Sequence, residues 1–317
     1  MHYILLIAIF LCSSAGANDF ESWRDEVKQE AAAQGISPEA LTALDDIEVN
    51  PRVIELDRRQ PEHAITFAEY RRNIMTDARL RRGRELAQQH ADILNSIATS
   101  YGVPAKYLVA LWGMESNYGS IQGNFSTLRS LLTLAYEGRR AAFFRGELFA
   151  ALRIMDQDHL ASLAMRGSWA GAMGQCQFMP STFLRFAVDG DGDGQRDIWN
   201  NLSDVFNSMA NYMRAEGWQP GMDWGRQVVA LHAIAPQLVG LKQAQPMTVW
   251  QKLGIRDAEG GDLPADPLSM YYLVQPDGGA GPSYLVTQNY KIIMRWNRST
   301  YFATTVGLLA DLIETES

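Results

Sequence analysis

Residues Leu111-Trp112-Gly113-Met114-Glu115-Ser116-Asn117-Tyr118-Gly119 place one carboxylate at the end of an apolar run and follow it with polar and aromatic groups. Pro104 suits a first helical position and Gly119 a left-handed C-terminal cap, which predicts one helix over 104–118. Leu108, Leu111 and Trp112 precede Glu115 by seven, four and three residues, so the acid shares their face and is expected at the rim of a core or cleft. Burial disfavours the ionised form, and a carboxyl so placed can keep its proton near neutrality, as a general acid must. The simpler alternative is an acid bonded to a neighbouring Arg or to loop amides.

Working outward, 20–34 and 38–44 read as helices, with Ser37-Pro38 as a cap and first-turn pair. A Pro-bounded extended stretch is expected over 50–61, followed by helical patterning over 64–100 that breaks near Gly83. Gly138-Arg139-Arg140 opens an amphipathic helix whose apolar face carries Phe143, Phe144, Leu148, Ala151, Leu152 and Met155. Beyond Gly217 the pattern loosens. Short strands are expected over 270–274 and 283–287, joined by the turn Pro276-Asp277-Gly278-Gly279, before helices over 289–297 and 300–314. The fold class is therefore mainly α (α+β), with a small β element near the C-terminal part.

The chain has 317 residues, 47% hydrophobic and 20% charged, which provides for a sizeable core. Tyr3 to Cys12 form a short apolar run before Ala15-Gly16-Ala17, the small-x-small pattern of a leader-cleavage site, so 1–17 is expected to be a signal peptide and the protein periplasmic. Leu11 stands where lipid attachment at Cys12 would need a small residue, so no lipid anchor is expected, nor stable membrane insertion. Removal of the leader leaves Cys176 as the only cysteine, and hence no disulfide. The net charge of -8 has the wrong sign for a nucleic-acid partner. Arg71, Arg72, Arg79, Arg81, Arg82 and Arg84 run against that trend. They read as a solvated helix face beside Asp77 and Glu85, with contact to an anionic polymer as the alternative.

Residues 167–181, Gly-Ser-Trp-Ala-Gly-Ala-Met-Gly-Gln-Cys-Gln-Phe-Met-Pro-Ser, combine small, amide and aromatic side chains. The glycines permit close approach, Gln175 and Gln177 offer donors and acceptors, and Trp169 and Phe178 are rings able to cover the apolar face of a sugar. A tight helix crossing would use the same composition.

Asp189-Gly190-Asp191-Gly192-Asp193-Gly194 matches the start of an EF-hand-like calcium loop, with oxygen ligands at positions 1, 3 and 5 and Gly at 6. Gln195 would add its backbone carbonyl at position 7, and Asp197 stands at 9. Position 12 is Asn200 where the rule asks for Glu, leaving Asp204 to close a longer loop. Oxygen donors alone point to structural Ca2+ and not to a redox or hydrolytic metal.

No pair among the five histidines has zinc-ligand spacing. Cys176, between two glutamines, reads as buried filler. Glu147 is the rival acid, read as structural because Arg139, Arg140 and Arg145 offer it partners. No phosphate loop, dinucleotide fingerprint or Gly-x-Ser-x-Gly elbow is present.

Taken in order, Glu115-Ser116-Asn117-Tyr118-Gly119, Gly138-Arg139-Arg140, Gly167 to Gly174, Gln177 to Ser181, the Asp loop and Arg295-Trp296-Asn297-Arg298-Ser299-Thr300 resemble the lytic murein transglycosylase B family over nearly all of the chain after the leader. The resemblance implies a periplasmic enzyme, a lyase acting on polysaccharide. Its lysozyme-like core would cut peptidoglycan glycan strands between N-acetylmuramic acid and N-acetylglucosamine without water. It implies a layout of an N-terminal helical subdomain at 18–98, a catalytic core at 99–217 with the calcium loop at 189–204, a small mixed subdomain at 218–287 and core-completing helices at 288–317.

In that family the glutamate matching Glu115 is the sole catalytic acid and base. By similarity Ser168 and Gln177 contact substrate near it, Arg139 and Arg140 meet peptide or lactyl carboxylates, and Tyr212 and Asn297 line the cleft. Trp169 and Trp296 join this substrate-binding set, and Asp189, Asp191, Asp193, Gln195 and Asp204 form the calcium set. Two departures stand out. Trp296 and Phe302 replace tyrosines common in the family, and Tyr301 beside Phe302 offers a substitute hydroxyl. The competing expectations are a hydrolytic muramidase with a second carboxylate and a calcium-stabilised wall-binding scaffold without catalysis. No partner among cell-wall synthesis or division proteins is legible.

Overall fold

The computed structural model describes residues 15–59, 65–161, 164–266 and 269–314. Helices run as α1 Ala15–Ala33, α2 Pro38–Thr42, α3 Pro51–Arg58, α4 Phe67–Ile74, α5 Asp77–Gln89, α6 Ala91–Tyr101 and α7 Ala105–Ser116. Strand β1 Phe125–Ser126 leads into α8 Thr127–Glu137 and α9 Ala141–Asp158, then β2 Arg166–Gly167, α10 Pro180–Phe186 and α11 Leu202–Ala215. The remainder comprises β3 Gly225–Ala230, β4 Gln245–Pro246, α12 Met247–Lys252, β5 Ile255–Asp257, β6 Met270–Val274, β7 Ser283–Val286, α13 Gln288–Trp296 and α14 Thr300–Glu314. The mainly helical class with a small β element holds. Most of the leader expected at 1–17 lies outside the described residues, and no described helix is long and apolar enough to cross a membrane.

The chain forms two compact units. Among the described residues, the first joins 15–59, 123–161, 164–172 and 179–184. In it, α8 and α9 bury Leu128, Leu131, Leu132, Phe144, Leu148 and Leu152, and β1 pairs antiparallel with β2. Phe143, expected on that apolar face, is 46% exposed, because Arg140 stacks over its outer ring instead of a core closing on it. Ser37 caps α2 as its sequence suggests, accepting from the Ala40 amide at 3.1 Å. The stretch from Asn50 is helical and not extended: Asn50 accepts from the Arg52 amide at 3.0 Å and Pro51 occupies the first turn, where its missing N–H costs nothing.

The second unit joins, among the described residues, 65–122, 173–178, 185–266 and 269–314. Its helical part breaks at Met75-Thr76 and at His90, not at Gly83. Thr66 and Glu69 form a capping box that starts α4, and Thr76 restarts the chain as α5 by accepting from the Arg79 amide at 3.3 Å. Gly83 is buried mid-helix because a Cβ there would stand 2.5 Å from the Tyr118 hydroxyl. The sheet has the order β4-β6-β7-β3-β5 with antiparallel neighbours throughout, and Leu273 faces Leu285 across β6 and β7. One face buries Val228, Trp250, Ile255, Leu273 and Leu285. Strands β6 and β7 fall where they are expected on either side of the Pro276–Gly279 turn, with β7 ending one residue early at Val286.

Candidate active site

Helix α7 is apolar nearly all round, with Tyr107 to Gly113 buried, so its last turn carries Glu115 out of a packed interior. The helix ends slightly earlier than expected. Asn117, Tyr118 and Gly119 are successive left-handed residues with φ of 48°, 59° and 79°, and the Tyr118 amide reaches back to the Trp112 carbonyl at 3.2 Å. Ser116 steadies this turn by accepting from the Gly119 amide at 3.0 Å. The Tyr118 hydroxyl donates to the Arg79 carbonyl at 3.0 Å.

Burial pushes the Glu115 carboxyl up to about 7, and a hydrogen bond from Trp296 pulls the other way. That bond runs from Trp296 Nε1 to Glu115 Oε1 at 2.7 Å. Trp296 closes α13, and its ring packs against Tyr212, 4.7 Å away, and Phe178, 5.2 Å away, which also touch each other at 6.0 Å, so three aromatic groups form a wall beside the acid. Tyr212 is buried on α11, and burial raises its hydroxyl to about 12, keeping it neutral. Asn297 follows Trp296 as an exposed C-cap whose amide bonds the Ile293 carbonyl at 3.1 Å.

Gln175 is buried. Its Oε1 accepts from Trp112 Nε1 at 2.7 Å and its Nε2 donates to the Trp199 carbonyl at 2.8 Å, so it ties the acid-bearing helix to the end of the Asp loop. Gln177 has a left-handed φ of 50° and donates from Nε2 to the carbonyls of Gly174 and Gln122, which leaves its Oε1 as the amide function open to a ligand. Cys176 is fully buried and its thiol is raised well above the ordinary range by desolvation, as expected of filler.

In the first unit, Ser168 Oγ accepts from the Ala172 amide at 3.1 Å, closing the turn that presents Trp169. Arg139 is held to Asp57 by a bond to its carbonyl at 2.8 Å and an ion pair at 3.7 Å, and Arg140 lies over Phe143 and Phe144. Glu147 is structural, though not through the arginines: Ser181 donates to both its oxygens, from the amide at 2.9 Å and from Oγ at 2.7 Å, while Arg145 pairs with Glu30. This acid is occupied in starting α10.

In the acidic loop, carboxylate oxygens of Asp189, Asp191 and Asp204 lie within 4.8 Å of one another. Asp189 accepts from the amides of Gly192, Asp193 and Gly194, and Asp204, fully buried on α11, accepts from those of Gly190 at 2.7 Å and Asp197 at 2.6 Å. Burial and the charges of Asp191 and Asp189 push the Asp204 carboxyl upward, a cost that a bound cation would remove. Three hard oxygens and no sulfur or imidazole suit calcium or magnesium. Asp193 stands outside this trio and bonds the Gln195 amide at 2.8 Å, and Asn200 turns onto Asp197.

Sequence reading missed Tyr70 on α4, whose hydroxyl lies within electrostatic range of Glu115 and is raised by burial and then by that charge. An aromatic beside a capping box carried no signal of it. The hydroxyl expected from Tyr301 goes elsewhere: it donates to Asp277, which also accepts from the Phe67 amide at 2.8 Å, while Phe302 is buried.

Residues 19–311 match the family described as transglycosylase SLT domain. The chain belongs to that family. Among relatives of this transglycosylase, the membrane-bound lytic murein transglycosylase B of Escherichia coli (strain K12) is 34% identical over 253 residues, which are 78% of this chain and 67% of that one. The crystal structure of SltB3 from Pseudomonas aeruginosa in complex with NAG-anhNAM-pentapeptide is 42% identical, with a TM-score of 0.89 over 93% of this chain and 80% of that one. The Escherichia coli lytic transglycosylase Slt35 in complex with calcium is 28% identical, with a TM-score of 0.78 over 96% of this chain and 94% of that one.

Proposed function

We propose that this lytic transglycosylase cuts the β-1,4 bond between N-acetylmuramic acid and N-acetylglucosamine in peptidoglycan, with Glu115 as its single acid and base. The observation that carries this reading is one carboxyl group, raised to about 7 by burial, beside an aromatic wall. Protonated Glu115 gives its proton to the glycosidic oxygen, the bond from that oxygen to C1 breaks, and the N-acetylglucosamine side leaves as an alcohol. The muramic C6 hydroxyl then closes on C1 and returns its proton to Glu115, leaving a 1,6-anhydro end and consuming no water. A pKa near the working pH serves both steps.

A two-carboxylate glycosidase needs a second acid across the bond. Among the described residues the Glu115 carboxyl bonds Trp296 and no second acid, and Glu147 is bonded by Ser181. The muramic acetamido group is the internal stabiliser of positive charge at C1. Gln177, Tyr212, Trp296 and Asn297, with Ser168, Trp169, Arg139 and Arg140, are the substrate contacts that the family resemblance implies. The NAG-anhNAM-pentapeptide held by SltB3 supports this substrate and product class.

Asp189, Asp191 and Asp204, with Asp193 and the Gln195 carbonyl, would hold structural Ca2+, a reading supported by the oxygen-only cluster and by the calcium complex of Slt35. The ion would supply positive charge that rigidifies the loop. The expected leader and the wall substrate support a periplasmic location. Incubating the protein with purified sacculi beside Glu115→Gln tests the assignment. The parent should release muropeptides one water lighter than reducing ones and the variant none; reducing ends would favour a muramidase, and binding without release a scaffold.

A further inference from the structure

We propose that Trp296 is a positioning residue that fixes Glu115 Oε1 as a permanent hydrogen-bond acceptor and so confines the transferable proton to Oε2. The inference deepens the proposed function and rests on it. An indole N–H can only donate, so the oxygen it faces must accept in both ionisation states of the carboxyl. At 2.7 Å the bond is of charge-assisted length, and it is the only hydrogen bond to Glu115's carboxyl among the described residues. The proton of the acid form therefore resides on Oε2, free of any protein acceptor that would compete with a glycosidic oxygen. The same bond strengthens as the carboxylate forms, so it stabilises the product of the first proton transfer.

The indole is itself held. Its ring packs against Phe178 and Tyr212, and neighbouring Arg295 anchors the end of α13 by bonding the Glu216 carbonyl at 2.7 Å and its carboxylate at 3.0 Å. The other titratable groups around Glu115 are Tyr70 from α4 and Cys176 from the loop before α10, both raised further by its charge and neutral at physiological pH. Arg79 from α5 acts on Tyr70 and Tyr118, and Glu216, Arg295 and Arg185 act on Tyr212. None of these bonds the carboxyl.

The test is Trp296→Phe, which keeps a ring in the wall and removes the donor, beside Trp296→Tyr, which restores one. In sacculus digestion Trp296→Phe should move the alkaline limb of the pH–rate profile upward and lower the plateau roughly ten- to hundredfold, the worth of a hydrogen bond to a charged group. Trp296→Tyr should return the limb toward the parent. A raised KM with an unmoved limb would leave Trp296 a substrate contact with no positioning role and overturn the inference. In the unsubstituted protein, the Trp296 indole N–H resonance should titrate with Glu115 and lose that inflection in Glu115→Gln; a flat signal would also overturn it. If the parent releases no anhydro product yet the resonance titrates, the proposed function fails and the positioning role stands.

Discussion

Gln175 joins Trp112 to Trp199 through one side chain, accepting at 2.7 Å from the first and donating at 2.8 Å to the second. Both partners are polar groups in a buried setting, and neither bond survives replacement of the amide by an alkyl chain. Gln175→Leu is expected to cost about 1–3 kcal/mol, since it leaves the Trp112 indole N–H unsatisfied while the Trp199 carbonyl keeps its bond from Gln122 at 3.1 Å. Urea unfolding measures this, and a loss below about 0.5 kcal/mol would show that the link is not needed.

Gly119 sits against the same amide. Its φ is 79° and a Cβ would lie 2.3 Å from Gln175 Oε1, whereas a Cβ added at Gly35, with φ of 83°, would meet nothing within 4 Å. Gly35→Ala should cost only backbone strain, about 1 kcal/mol. Gly119→Ala should cost about 2 kcal/mol more and lower turnover, because the displaced amide releases Trp112. Thermal melts and sacculus digestion of the two variants should separate strain from crowding.

Much of this was legible in sequence where the determinant is local. Ser37-Pro38, the apolar run into Glu115, and the turn between β6 and β7 each act within a few residues. Asn50-Pro51 misled because Pro51 suits either a turn or a first helical position, and only the Asn50 side-chain bond to Arg52 selects the helix. Gly83 signalled a break when its role is to admit the Tyr118 hydroxyl from elsewhere in the chain. Trp296 meets Glu115 across 181 residues, and Ser181 meets Glu147 across 34, so no spacing rule reveals either partner.

Ionisation of Glu115 should be visible in stability. Its folded pKa of about 7 exceeds the ordinary 4.5, so between those values the folded state binds more protons than the unfolded one. Stability should therefore fall as pH rises from about 4.5 to about 7 and stay level above that, the total cost being about 1–3 kcal/mol after allowance for partial solvent access. Glu115→Gln should match the parent near the lower bound and exceed it at pH ~8 by that amount. Denaturant titrations at the two pH values check it; equal differences at both would refute the raised pKa.

The acidic loop predicts a specific response to calcium. At a free concentration about a hundredfold above its Kd, calcium should stabilise the protein by about 2.7 kcal/mol, and magnesium at equal concentration by less. Asp191 is exposed and belongs to the carboxylate trio, so Asp191→Asn should fold yet lose most of the increment. An unchanged calcium-dependent melting shift in that variant would move the ion elsewhere.

Cleavage by one carboxyl without water can be followed by digesting sacculi in water labelled with oxygen-18 and weighing the released muropeptides. Anhydro products should carry no label, because the muramic C6 oxygen and not solvent closes on C1. Heavy oxygen at the new muramic C1 would mean that water attacks there, and would contradict it.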